Sequence, residues 1–215
     1  MSASQHARRE RQELAELMLA TGPDAPTLCE GWTTRDLAAH LVIREARPDA
    51  AVGIVLPPLA GWTDRVQRAT SVGQSYPELV RKVRTGPPTL SVFSVPGVDG
   101  LANLLEYVVH HEDVLRAQPG WEPRTLVPEL ADELWGRLRQ MSRVMYVRMP
   151  VGVTLVRTDG RGGSVVAHKG EPMVTMTGTA LELLMRTYGR SVVRVEVTGE
   201  PDAVAAFESA PILAV

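Results

Sequence analysis

Apolar positions recur at helical spacing through the first two thirds of the chain and then change to runs of strand-forming residues. Between about Ala3 and Ala20 the residues Leu14, Leu17 and Met18 repeat at helical intervals, and Gly22-Pro23 ends the run. A second helix has the clearest start. Thr33 is a natural N-cap, Asp36 lies three residues on as an acidic capping-box partner, and Trp32 and Leu37 hold the positions of a hydrophobic staple. This helix runs through His40 to about Ala46, before Pro48. Leu56-Pro57-Pro58 marks a loop, and helical stretches follow from Trp62 to Ala69 and from Pro77 to Gly86-Pro87-Pro88. The proline-punctuated residues 86–98 carry Leu90, Val92, Phe93 and Val95, so they are expected to fold over core or pocket. Asp99 is expected to cap a long helix to about Ala117, and Pro128 to open another to about Arg148.

Past Pro150 the period shortens. Val151 to Arg157, Ser164 to His168, Met173 to Thr177 and Ser191 to Thr198 read as strands, with a hairpin signal at Asp159–Gly163. Thr179 to Tyr188 and Pro201 to Phe207 read as helices. The fold class is therefore α+β, with a helical domain over 1–149 and a small α+β domain over 150–215.

Composition changes this picture little. The 215 residues, 44% hydrophobic and 22% charged, are ordinary for a globular chain, and a formal net charge of -2 gives no basic field for nucleic acid. Arg8, Arg9 and Arg11 alternate with Glu10, Glu13 and Glu16, which reads as a solvated helix face. Surface roles are expected for His6 and His168. A single cysteine, Cys29, excludes an intrachain disulfide, and no apolar run is long enough to span a membrane. With no signal-peptide pattern at the N-terminus, a cytoplasmic setting is the expectation.

The chemistry concentrates on one helix. Glu106, His110 and Asp113 fall at i, i+4 and i+7, on a single face flanked by Leu104, Leu105, Val108 and Val109. A carboxylate and an imidazole facing an apolar interior cost several kcal/mol unless paired or bound to a metal. His40, mid-helix beside Ala38 and Ala39, is the natural third ligand for a divalent ion such as zinc. Asp113 then takes an outer supporting position or an acid/base role. Spacing with Glu106 favours His110 over His111, and leaves open whether His111 replaces or assists it. Cys29, Trp62 and Phe93 read as packing residues, and Arg116 as a solvated residue or a partner of Asp113.

Two segments carry a resemblance. Leu28-Cys-Glu-Gly-Trp-Thr-Thr-Arg-Asp-Leu-Ala-Ala-His40-Leu41 and Glu106-Tyr-Val-Val-His-His-Glu-Asp-Val-Leu-Arg-Ala117 resemble the paired signatures of the mycothiol-dependent maleylpyruvate isomerase family, within the DinB/YfiT-like superfamily. Inside that family the likeness is to an actinobacterial metal-binding branch, through Pro23-Asp-Ala-Pro-Thr-Leu-Cys-Glu-Gly-Trp32 and Val109-His-His-Glu-Asp-Val114. The resemblance implies a DinB-like four-helix bundle followed by a small sterol-carrier-like domain. It also implies zinc or another divalent metal on His40, Glu106 and His110, with mycothiol as cosubstrate. Gly189-Arg190 is similar to an element of the family's small domain, which implies that Arg190 clamps an anionic substrate. The expected partners are a small-molecule thiol and a small electrophilic or anionic substrate, with neither nucleic acid nor membrane. Three functions follow: a thiol-dependent transferase or isomerase, a metal-bearing binding protein without turnover, and a metal-assisted hydrolase with Asp113 as base.

Overall fold

The structure is a computed structural model that describes residues 3–47, 60–86 and 98–212. The predicted loop at Leu56-Pro57-Pro58, the stop at Pro48 and the apolar residues Leu90, Val92, Phe93 and Val95 lie outside the described residues. The described residues form eight helices and one four-stranded sheet, an α+β chain. It separates into two compact units, Met1–Pro123 and Arg124–Val215.

The first unit is helical: α1 (Ala3–Thr21), α2 (Thr34–Ala46), α3 (Ala60–Gly73), α4 (Tyr76–Thr85) and α5 (Val98–Leu115). Its core is made by Leu14, Ala15 and Met18 of α1, Leu37, Ala38 and Leu41 of α2, Tyr76, Leu79, Val80 and Val83 of α4, and Tyr107 and Val114 of α5. Spacings of three and four residues put each set on one stripe, so burial of these stripes drives the packing. The predicted capping box is present: the Thr33 hydroxyl accepts from the Asp36 N–H, and Asp36 accepts from the Thr33 N–H at 3.1 Å. Trp32 packs against the core that holds Leu37. Helix α5 begins at Val98, so Asp99 stands in its first turn rather than capping it.

The second unit begins earlier than the predicted boundary at 149/150. It opens with α6 (Pro128–Met145), followed by β1 (Gly152–Arg157), β2 (Gly163–His168), β3 (Met173–Gly178), α7 (Ala180–Thr187), β4 (Glu196–Thr198) and α8 (Pro201–Ser209). The stripe of Leu130, Leu134 and Leu138 on α6 is buried, and α6 packs on α7 and β2. The division at Pro123/Arg124 follows from that packing.

The sheet order is β2-β1-β3-β4, with β1 antiparallel to β2, parallel to β3, and β3 antiparallel to β4. Val153 and Leu155 of β1 and Val174 and Met176 of β3 are buried by alternation, under Leu181, Leu184 and Met185 of α7. Strand β4 covers three residues, shorter than the predicted run from Ser191. Among the described residues no helix is long and apolar enough to cross a membrane.

Candidate metal centre

Helix α2 and helix α5 bring the predicted ligands together. One donor atom each from His40, Glu106 and His110 lies within 4.8 Å of the others. His40 Nε2 is 3.4 Å from Glu106 Oε1, and His110 Nε2 is 3.1 Å from the same oxygen. The two imidazole rings meet edge-on with centroids 5.5 Å apart. His40 and His110 are each 8% exposed, so their ring nitrogens depend on protein partners, while the Glu106 side chain is 24% exposed.

Asp113 stands behind His110. Its Oδ2 accepts from His110 Nδ1 at 2.9 Å, and the Asp113 side chain is fully buried. A proton on Nδ1 leaves the Nε2 lone pair turned toward Glu106 and His40, the tautomer that a metal-ligating histidine needs. Of the two roles expected for Asp113, this geometry favours the supporting one.

The charges are set by the same contacts. Burial pushes the His40 imidazole below its ordinary pKa, against the opposing hydrogen bond to Glu106. Burial pushes the Glu106 carboxyl up, but hydrogen bonds from His110 and His40 and the charge of Arg44 outweigh it and hold the group well below the usual range. Burial also works against the His110 cation. The hydrogen bonds to Asp113, Cys29 and Glu106 outweigh that effect and raise His110 well above an ordinary histidine. A metal ion and a proton therefore compete for the same nitrogen.

Three neighbours were not legible as site residues. Cys29, read as packing, donates its S–H to Asp113 Oδ2 at 3.3 Å and stands 4.0 Å from His110 Nδ1. Trp32 lies with its ring centroid 5.1 Å from that of His40. Both reach the site through the turn 29–32, closed by the Trp32 N–H on the Cys29 carbonyl at 3.0 Å. Gly31 takes φ +74° there, the left-handed position that a type II turn reserves for glycine. The Leu28 N–H bonds the Asp113 carbonyl at 2.9 Å and ties this loop to α5. The third neighbour, Arg44, places Nε 3.4 Å from Glu106 Oε1 and also donates to Asn103 Oδ1. Its spacing four residues after His40 was the available signal.

Several expectations are corrected here. His111, whose part beside His110 was left open, turns its Nδ1 to Glu10 Oε2 at 3.2 Å, toward α1. Arg116 is not solvated; it is buried against Glu112 Oε2 at 2.6 Å and lies over the Trp121 ring. His6, Glu10 and Arg11 are buried, so the charged stripe of α1 is only partly a solvated face. Trp62 is 45% exposed rather than packed in the core. The expectation for Arg190 is not among these corrections; the residue lies in the second unit and donates to the Tyr188 carbonyl at 2.7 Å.

A family model, the mycothiol maleylpyruvate isomerase N-terminal domain, matches residues 5–141. The chain belongs to this family. The matched region of this isomerase-family chain takes in the turn at 29–32, His40, and the whole of α5 with Glu106, His110 and Asp113. It also runs into α6, across the division between the two compact units. No curated protein and no solved structure matches the chain.

Proposed function

We propose that the helical unit holds a divalent metal ion, zinc by preference, on His40, Glu106 and His110, and uses it with mycothiol in a transferase or isomerase reaction. The observation that carries this reading is the convergence of two imidazole nitrogens and one carboxylate oxygen, within 4.8 Å of one another, in a covered site. Two nitrogens and one oxygen are a donor set that zinc accepts while leaving a further position for a small molecule. Bound there, zinc would hold a thiol, whose ordinary pKa is about 8.5, as its nucleophilic thiolate at neutral pH.

The chain's own residues do the rest. Asp113 fixes the His110 tautomer and ring orientation through Nδ1. Arg44 balances the Glu106 charge, so the carboxylate stays ionised despite its burial. Trp32 covers His40 and keeps water from that edge of the ring. The substrate in this reading is a small electrophile or anion. The role of Arg190 as an anion clamp rests on the likeness of Gly189-Arg190 alone. A cytoplasmic setting suits a chain whose single cysteine, Cys29, is reduced. We read α1, α2, α4 and α5 as a DinB-like four-helix bundle, because these four supply the common core while Val66 of α3 packs separately with Ile43.

The test is the visible spectrum of cobalt-substituted protein before and after addition of mycothiol. The reading expects d–d absorption of which one component is lost in His40→Ala, and a sulfur-to-cobalt charge-transfer band when the thiol is added to the parent but not to that variant. A d–d band without any response to thiol overturns the thiol chemistry and leaves a metal-binding protein or a hydrolase. No cobalt band in folded protein overturns the site.

A further inference from the structure

Helix α1 carries His6, Glu10 and Glu13 at i, i+4 and i+7, one stripe along its length. Glu10 of that stripe meets His111 of α5, and one donor atom each from Glu10, Glu13 and His111 lies within 4.8 Å of the others. Glu10 and His111 are 2% and 7% exposed, while Glu13 stands at the rim with its side chain 35% exposed. A plain ion pair between Glu10 and His111 would account for those two residues. It leaves His6 without explanation. His6 is 2% exposed, one turn before Glu10 on the same stripe, and among the described residues neither ring nitrogen has a hydrogen-bond partner.

A buried imidazole with both nitrogens unpaired carries the desolvation cost of each unsatisfied group, and native interiors seldom tolerate it. In a helix the longer side chains lean toward the N-terminus, so Glu10 leans back over the turn that bears His6. Glu13 is the outermost member: its Oε1 is held by Arg9 Nε at 2.7 Å, with the Arg9 side chain 56% exposed. Such a surface pair contributes little and gives way readily to a stronger partner.

We propose that Glu10, Glu13 and His111 form a second site for a divalent first-row metal ion, with His6 as its fourth ligand. Two carboxylates and two imidazoles make a mixed oxygen and nitrogen set, which zinc, cobalt and manganese all accept. The donors of Glu10, Glu13 and His111 reach a common ion at about 2.0–2.2 Å after small side-chain adjustments, and His6, one turn earlier on the stripe and outside that spread, joins them by swinging toward it. Four protein ligands close a tetrahedral zinc shell, so this ion is structural and ties α1 to α5. Successive residues of a helix point about 100° apart, which is how the neighbours His110 and His111 serve two different sites.

The experiment measures zinc per chain in full-length protein stripped by chelator and re-equilibrated with Zn²⁺, alongside the His40→Ala variant. The proposal expects two ions in the parent and one in His40→Ala. Within the His40→Ala background, His6→Ala and Glu13→Gln should each weaken the remaining ion at least tenfold. Glu13 is partly exposed, so its substitution leaves the fold intact even if changes at Glu10 or His111 do not. Folded His40→Ala that takes up no zinc overturns the second site, as does an affinity unchanged by both substitutions. One ion in the parent and one in His40→Ala overturns the His40 site instead and keeps this one.

Discussion

Helices α5 and α7 are both largely buried where described, and they differ in how much charge they bury beside their apolar residues. Helix α5 and the residue after it enclose His110, His111, Glu112, Asp113 and Arg116. Helix α7 encloses Leu181, Leu183, Leu184 and Met185, with Glu182 and Thr187 as its polar exceptions. The apolar helix stabilises its unit simply by leaving water. The charged one does so only while each group keeps its partner, because desolvating an ion costs more than most pairs return. The first unit thus carries a local cost that the second largely avoids, and that cost falls where two sets of side chains able to hold a metal ion gather. Evolution of a site, rather than of stability, is the economical account of α5.

The sharpest way to break this contrast is to remove one partner of a buried pair. Arg116→Met leaves Glu112 buried without its cation, and both side chains are 0% exposed. The expected loss is about 3–5 kcal/mol in urea denaturation. The matched substitution in the second unit is Arg157→Met. Arg157 is itself buried, but its partners Asp132 and Asp159 are 43% and 29% exposed and can turn to water. That loss should stay near 1 kcal/mol. Equal losses would remove the distinction between the units.

Leu184→Ala tests the other side. Leu184 is fully buried, so truncation should cost about 2–5 kcal/mol through lost burial and a residual cavity. Zinc uptake at 25 °C in the still-folded variant should match the parent. Loss of zinc from that variant would mean that the two units are not separable in the way their packing suggests.

The same contrast explains what could be read from the sequence. Apolar periodicity located the helices and strands to within a few residues, since burial of a stripe is a local property. The stripe Glu106, His110, Asp113 was legible for the same reason, and so was the capping box at Thr33. What the sequence hid was which polar residues of a mixed stripe are buried. Glu10 and Arg11 alternate with Arg9 and Glu13 as a solvated helix does, yet their partners His111 and Glu45 come from other helices, the latter at 2.7 Å from Arg11. Cys29 and Trp32 reach His40 and His110 through a glycine turn, which no periodicity marks. The placement of α6 was hidden too, because its stripe states that a face is buried and not which unit buries it.

A smaller effect sharpens the reading of the charged face. Asp113→Asn keeps the size of the side chain and removes its charge, so His110 Nδ1 loses a carboxylate acceptor 2.9 Å away. Outer partners of this kind are worth about 10–100-fold in metal affinity. Competition with a chromogenic chelator should show that weakening for the ion lost in His40→Ala. The ion assigned to Glu10 and His111 should be unmoved. Weakening of both, or of neither, would undo the supporting role given to Asp113.

The smallest effect lies in the second unit and is a matter of pH. Burial pushes the Tyr146 phenol up to about 12, against the relief of its hydrogen bond with Thr187 at 2.9 Å. The native pKa is thus raised above the unfolded value of 10.0. Below that value the phenol is neutral in both states, and its contribution to stability is fully present. As pH rises further the unfolded chain ionises first, so stability falls and is lost as the pH passes the native pKa. Between pH 9 and 11 the expected loss is about 1 kcal/mol, from a full shift worth about 2–3 kcal/mol. Tyr146→Phe cannot ionise, so its urea midpoint should fall less over that interval. The comparison is of slopes, because the variant also lacks the Thr187 hydrogen bond at every pH. An identical slope would place the alkaline sensitivity elsewhere, with Tyr107 as the next candidate: it is buried against Glu45 and raised well above an ordinary tyrosine. In that case even the alkaline limit of the protein would be set by the charged interior of the first unit.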